Sequence, residues 1–511
     1  MRRKDEISDG ACSISKIAPA IDKLPQEVSR RIDEFSPTHV QSAKGDGKTA
    51  PVKFQMLDGL RVLTTIYIIA FHTLWYNTFY ISDKRYVEIA SIPSLRPIAM
   101  GINGVDVFFI ITGIVLAYPV FTKEKIDHWG DYVWNRISRL YPSMLAVTAF
   151  LLLTLFNNGW EYVFNLPSDP EKSSFWFLAP FTLTFLSNLI PLGGFMGWTW
   201  SISVQVHFYL IFPWLITKYG TGKKLLKVIL AGMAISVPFR YLIPKMLIST
   251  WGLPEFMSCS LDKIVRFSFF FNIYYSPTYF RIFSIFTGVL VSWVLVNKQD
   301  WVKTVQSSLL YQVLLVIVAI PGIYGSYLPF DEHSWKYILF YPGGYLWLLS
   351  LAILFFLLLT HQKIVAPLNY FLSLPVFARI APATYGAYLV HCGFVARFIQ
   401  WGVNPPFDTT YSHVALFSYI AKNVVLSFIV GFFVEKYVER PGVAWLKTLD
   451  KGDEANTTGT QDDFIAKIIA KVYKVRIFFR SHDAQRAEVE TRRILAKCPL
   501  LSWIANEKNR E

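Results

Sequence analysis

Apolar stretches of about twenty residues recur along the chain between residues 58 and 434, separated by short polar loops. Their length matches the roughly 20 helical residues that cross a ~30 Å hydrocarbon core. The pattern predicts ten helices, near 58–79, 101–121, 137–156, 199–217, 225–247, 279–296, 305–327, 337–360, 382–401 and 413–434. A further apolar run, 175–192, ends in Ile190-Pro191-Leu192-Gly193-Gly194. It reads as re-entrant or interfacial, because a full span there breaks the alternation of loop charge. The expected fold class is an all-α polytopic membrane protein. A polar tail (1–56) precedes the membrane domain (57–441), and a second polar tail (442–511) follows it. Within that second tail, Phe464 to Arg476 interleaves apolar and basic residues. It reads as an amphipathic helix that either lies on an anionic membrane surface or packs on the bundle.

Composition narrows the picture. Of 511 residues, 53% are hydrophobic, 17% aromatic and 17% charged, against roughly 25% charged in a soluble domain. Mean hydropathy is +0.36. A disordered chain, a coiled coil and an ordinary soluble enzyme are excluded. The first 55 residues hold no apolar run, so no cleavable leader is expected and the first span acts as an anchor. The net charge of +14 is the odd feature. With the N-terminus in the cytosol, the basic residues gather in loops on that side, among them Lys123, Arg136, Arg139, Lys218, Lys223 and Lys363. Acids outnumber bases in the opposite loops. That asymmetry sets orientation and leaves both termini cytosolic, in endoplasmic reticulum or plasma membrane. The charge is a topology signal, with no nucleic-acid module to use it. Cys12, Cys259, Cys392 and Cys498 show no metal-ligand spacing and read as free thiols, and no metal is expected.

Ionisable groups inside spans are costly, so each is a functional candidate. Asp58, Arg61 and His72 share one stripe of the first span. Eleven residues separate Arg61 from His72, a net rotation of only ~20° and a rise of ~16 Å. Asp58 and Arg61 thus mark a cytosolic mouth, and His72 a deep point on the same path. His72 suits general-base work, or is satisfied by a neighbouring helix. Asp106, in the second span, needs a partner, with Arg96, Arg281 and His72 as candidates, and serves either chemistry or packing. Arg136 and Arg139 lie one turn apart, and either grip a phosphate or anchor the span. In the fourth span, Ser203 and His207 share a face, as do Ser201 and Gln205, with Trp200 beside them. Tyr385 and His391 lie within the ninth span, and Arg240 and Arg397 are also intramembrane. No P-loop, dinucleotide fingerprint, zinc signature or GxSxG elbow is present.

Taken together, these segments resemble the acyltransferase-3 family of integral membrane acyltransferases. The resemblance rests on Leu57-Asp58-Gly59-Leu60-Arg61 with His72, and on Gly104-Val105-Asp106-Val107-Phe108-Phe109 through Gly113. It also rests on Arg136 and Arg139 before Tyr141-Pro142, and on Trp200-Ser201-Ile202-Ser203-Val204 with Phe208-Tyr209. Ala383-Thr384-Tyr385 through His391 and Glu439-Arg440-Pro441 complete the order. Leu116-Ala117-Tyr118 and Tyr274-Tyr275-Ser276-Pro277 are similar to the animal branch that includes nose-resistant-to-fluoxetine proteins, without the extracellular N-terminal domain of that branch.

The resemblance implies transfer of an acyl group, acetyl above all, from cytosolic acyl-coenzyme A to a hydroxyl of a glycan, lipid or small molecule. It implies that His72 is the essential base, with Asp106, Ser203 and His207 as further catalytic candidates. Arg136 and Arg139 would hold the donor's phosphates, and Asp58 and Arg61 would line its entrance. Trp200, Gln205, Arg281, Tyr385 and His391 would line the substrate path. One departure stands out. Where the family leads one to expect Ser-Val-Glu-Val-Gln-Phe-Tyr, this chain reads Ser203-Val204-Gln205-Val206-His207-Phe208-Tyr209. A transporter or lipid-handling protein, or a catalytically inactive relative, is the alternative reading.

Overall fold

A computed structural model describes residues 54–79, 83–123, 126, 129–157, 179–189, 196–251, 275–325, 344–407 and 411–451. The tails, including the amphipathic stretch 464–476, lie outside them. The described residues are helical throughout, with no strand among them. Thirteen helices position the site. They are α1 Met56–Phe79, α2 Gly104–Lys123, α3 Trp129–Asn157, α4 Trp200–Tyr219, α5 Lys223–Trp251, α6 Thr278–Asn297 and α7 Gln299–Ser307. Then follow α8 Leu309–Gly325, α9 Tyr345–Leu359, α10 Ala366–Leu372, α11 Thr384–Gln400, α12 His413–Val434 and α13 Arg440–Lys451.

Each of the ten predicted helices has a helical counterpart, with three changes of bounds. The third starts at Trp129 instead of 137, because its first two turns are polar and amphipathic. The predicted span 305–327 breaks at Ser308, whose backbone is extended. Before the break, α7 buries only Val302 and Val305 and exposes its polar face. After it, α8 turns through 101° and is apolar but for Gln312, which is buried. The predicted span 337–360 is described from Tyr345, and residues 337–343 lie outside the described residues. Of the run 175–192, residues 179–183 are helical and 184–189 turn, with Phe185 at φ 60°.

Among the described residues, four helices can cross a membrane by length and composition alone, and up to six if each bent pair is one span. They are Met56–Thr78, Arg96–Lys123, Thr278–Asn297 and His413–Lys447. The shortfall from ten has physical causes. α9 and α11 have 15 and 17 residues, short of the ~20 that span the core. α4 is diluted by Ser201, Ser203, Gln205 and His207.

Large apolar side chains face outward from α5, α8 and α12, including Ile235, Leu310, Ile317, Val414 and Phe433. In water such patches would drive aggregation, whereas a bilayer solvates them. Inside, α1 is central and packs on α2, α10, α11 and α12. Helices α2 and α6 approach most intimately. A side chain on Gly113 would collide with the Ile285 carbonyl oxygen, and one on Gly288 with that of Ile110. Paired glycines allow this backbone contact.

Candidate functional site

Arg61 of α1, Arg136 and Arg139 of α3, Tyr209 of α4 and Tyr385 of α11 converge on one cavity of about 460 Å³. Phe108 and Thr112 of α2, Ser201 and Gln205 of α4, and Tyr388 of α11 complete its wall. The volume is that of a small-molecule pocket. Three guanidinium groups at one mouth make it an anion site.

Each arginine is held by a neighbour. Arg61 reaches Asp58 at 3.4 Å. Arg136 donates to the Tyr132 carbonyl at 2.5 Å, and its guanidinium lies 3.5 Å from that ring's centre. Arg139 pairs with Glu439 at 3.3 Å. Glu439 ends a π turn, Glu435–Glu439, between α12 and α13. Tyr132, in the first turn of α3, has its hydroxyl pKa pushed up by burial, with Arg136 opposing the rise.

The cavity stops at Tyr388. Its hydroxyl donates to the Trp198 carbonyl at 2.6 Å and accepts from Ser201 at 2.8 Å. Beyond it sit two histidines. The Tyr388 carbonyl takes the Nδ1 proton of His391 at 2.5 Å. The Ile68 carbonyl lies 3.1 Å from His72 Nδ1, and His391 Nε2 lies 3.0 Å from the same atom. Carbonyls only accept, so these partners set the tautomers. His391 carries its proton on Nδ1. His72 carries its own on Nδ1 and shares it between Ile68 and His391 Nε2. The lone pair of His72 Nε2 is left for chemistry. The Cys392 thiol also donates to His391 Nε2, at 3.2 Å. Phe71, Tyr76, Trp198 and Tyr388 surround the pair with aromatic rings.

Arg61, Arg136, Arg139, Gln205 and Tyr385 thus line the cavity, Asp58 is tied to it through Arg61, and His391 and then His72 follow beyond Tyr388. Gln205 accepts from Thr112 at 3.1 Å, and Tyr385 donates to the Leu140 carbonyl at 3.0 Å. The other candidates, Asp106, Ser203, His207, Trp200 and Arg281, stand apart from the cavity wall. Asp106 takes Arg281 as its partner, at 2.9 Å, in place of Arg96 or His72. It also accepts from Ser284 at 2.7 Å and from Trp347 at 3.1 Å, joining α2, α6 and α9. Arg281 is caged by Phe109, Trp200 and Tyr275, with ring centres 5.1–5.7 Å away. Asp106, Trp200 and Arg281 thus form one buried cluster between α2, α4, α6 and α9. Ser203 meets Ser187 at 3.2 Å. His207 Nδ1 meets the Thr278 hydroxyl at 2.6 Å, turned toward α6 and away from the cavity.

Tyr388, Cys392 and Glu439 were given no place at the site by sequence reasoning. Tyr388 and His391 are one turn apart, the spacing that lets a ring reach an earlier carbonyl, so a signal was present. Cys392 lies beside His391 in sequence, but 320 positions from His72.

The acyltransferase domain family (Acyl_transf_3) matches residues 54–436. A Caenorhabditis elegans protein named regulator of hypoxia-inducible factor 1 is 24% identical over 359 residues, covering 66% of this chain and 68% of that protein. O-acetyltransferase OatA of Staphylococcus aureus is 22% identical over 464 residues, covering 85% of this chain and 66% of the relative. Acyltransferase MdmB of Streptomyces mycarofaciens is 28% identical over 169 residues, covering 32% and 39%. No solved structure matches the chain. The match across most of the chain, on a helical bundle with an outward apolar face, makes this protein a member of the acyltransferase-3 family.

Proposed function

We propose that the protein is an integral-membrane O-acyltransferase that moves an acyl group, acetyl in the first instance, from cytosolic acyl-coenzyme A to a hydroxyl of a glycan, lipid or small molecule. The observation that carries this reading is the three-arginine cavity that ends at Tyr388, behind which His391 holds a second histidine, His72, with a bare Nε2. Two relatives are named as an O-acetyltransferase and an acyltransferase, in keeping with it.

In the proposed reaction the donor's phosphates sit on Arg61, Arg136 and Arg139, and its thioester extends toward Tyr388. His72 Nε2 removes the acceptor's hydroxyl proton as the oxygen attacks the thioester carbonyl. The tetrahedral centre collapses, the C–S bond breaks, and the imidazolium returns the proton to the leaving coenzyme A thiolate. Gln205 adds no negative charge to the cavity, which favours an anionic donor.

The test is turnover of labelled acetyl-coenzyme A by purified protein with a panel of hydroxyl acceptors. His72→Ala is expected to lose at least about 10²-fold in kcat at normal expression. Full activity in that variant sinks the mechanism. Arg136→Ala with Arg139→Ala is expected to raise the donor KM roughly tenfold or more, since charge-assisted contacts are worth about 1.5–3 kcal/mol each. Gln205→Glu separates this reading from that of an inactive relative. A chain that is silent as it stands and gains turnover as the Gln205→Glu variant is degenerate.

A further inference from the structure

The buried contact between α1 and α11 holds more than the histidine pair. His72 Nδ1 stands 3.0 Å from His391 Nε2, and Cys392 Sγ stands 3.2 Å from the same nitrogen. The ligand atoms of the three residues all lie within 4.8 Å of one another. The proposed transfer uses the histidines and has no task for the thiol.

We propose that His72, His391 and Cys392 form a zinc-binding site whose occupation switches acyl transfer off. The donor set is two imidazoles and a thiolate, the N/S combination that zinc prefers. With Zn–N near 2.0–2.1 Å and Zn–S near 2.3 Å, tetrahedral ligand atoms lie about 3.3–3.6 Å apart. The two separations at His391 Nε2, 3.0 and 3.2 Å, are a few tenths of an ångström shorter, whereas the His72 and Cys392 ligand atoms lie within 4.8 Å of each other. Small rotations of the His72 and Cys392 side chains, away from His391 and toward each other, therefore admit the ion. His391 is already oriented as a ligand, because its far Nδ1–H is held by the Tyr388 carbonyl. A fixed outer hydrogen bond of this kind is the usual support of a metal-bound histidine. Three protein ligands leave a fourth position for water.

The proton balance sets the consequence. Binding releases the Cys392 thiol proton to solvent. His72 gives up its Nδ1 proton and keeps one on Nε2. The Nε2 lone pair that the transfer needs is then gone. The inhibition therefore rests on the proposed acyltransferase reading, whereas the metal binding does not.

Binding and inhibition are read separately. The binding probe is Co²⁺ added to detergent-purified full-length protein, followed by thiolate-to-cobalt charge-transfer absorption. Cys12, Cys259 and Cys498 are first changed to Ser, so that Cys392 is the only thiol. One equivalent of cobalt is expected to give that absorption, displaced by Zn²⁺. Adding Cys392→Ser or His391→Ala is expected to abolish it. No charge-transfer absorption in the Cys392-only protein overturns the site, whatever the enzyme does. The second probe is Zn²⁺ titrated into acetyl-coenzyme A turnover and reversed with a chelator. Cys392→Ser is expected to turn over normally without zinc and to need at least about tenfold more zinc for half-inhibition. Equal zinc sensitivity with and without the thiol overturns the switch. Cobalt binding in a protein with no acyl turnover leaves the site standing and removes the acyltransferase reading instead.

Discussion

His391 touches the proposed reaction only through His72, so it is a positioning residue. Its Nε2 accepts from His72 Nδ1 and pins the tautomer that leaves Nε2 bare. A positioned base supplies roughly 10²–10⁴ in rate, and a loosened one keeps part of that. His391→Ala is therefore expected to lower kcat roughly tenfold to a hundredfold with the donor KM unchanged. His391→Gln carries an amide oxygen near the position of Nε2, so it should recover part of the loss. A purely structural role would lower the amount of folded protein and leave kcat per folded molecule intact. Steady-state kinetics on monodisperse His391→Ala and His391→Gln protein distinguishes the two. The histidine stripe was legible at this scale because a helix imposes its own angular arithmetic on Arg61 and His72. The partner of His72 was not, since no local rule links positions 319 residues apart. Asp106 shows the same limit: a buried carboxylate advertises a partner, and only the fold selects Arg281 from the cations within reach.

The elements are locked by few, costly contacts. Asp106 and Arg281 are almost wholly buried and tie α2 to α6, with Trp347 bringing in α9. Removing one partner strands a buried charge, at about 3–5 kcal/mol, whereas an apolar replacement of both is often neutral. Asp106→Ala is expected to fall sharply in thermal stability in detergent, and Asp106→Leu with Arg281→Met to recover most of it. Additive losses in that double-mutant cycle would mean that the two residues act independently. The Gly113–Gly288 contact is less forgiving. A Cβ at either position meets backbone, which cannot rotate away. Gly113→Val should therefore fail to give folded protein, while a substitution at Gly222, where no atom lies within 4 Å, should be tolerated. Expression and size-exclusion profiles of the two variants check this. Helix existence was readable from apolar runs, since desolvation of backbone drives it. The break at Ser308 was not, because no proline or glycine marks it: the amphipathic α7 runs into the apolar α8 through Ser307-Ser308.

At the scale of the whole molecule the site is polar along the membrane normal. Arg61 and His72 stand on one helix, eleven residues and so about 16 Å apart along its axis. The arginine cavity lies at one end of that distance, and Tyr388 closes its far end. In the proposed reaction an anionic donor, driven by charge, enters from the arginine side. The acceptor hydroxyl must reach His72 Nε2 from beyond Tyr388, so the two substrates of the proposed reaction arrive from opposite faces. This vectorial arrangement makes a claim about sealed membranes that no soluble acyltransferase could meet. In sealed vesicles, membrane-impermeant acetyl-coenzyme A should support transfer only for chains whose Arg136–Arg139 face points outward, toward the added donor. Orientation can be scored by labelling of a single cysteine placed at exposed Lys223. Turnover should scale with that labelled fraction and rise to the full value when detergent opens the vesicles. Equal turnover from both orientations in intact vesicles would put the donor and the acceptor on the same side.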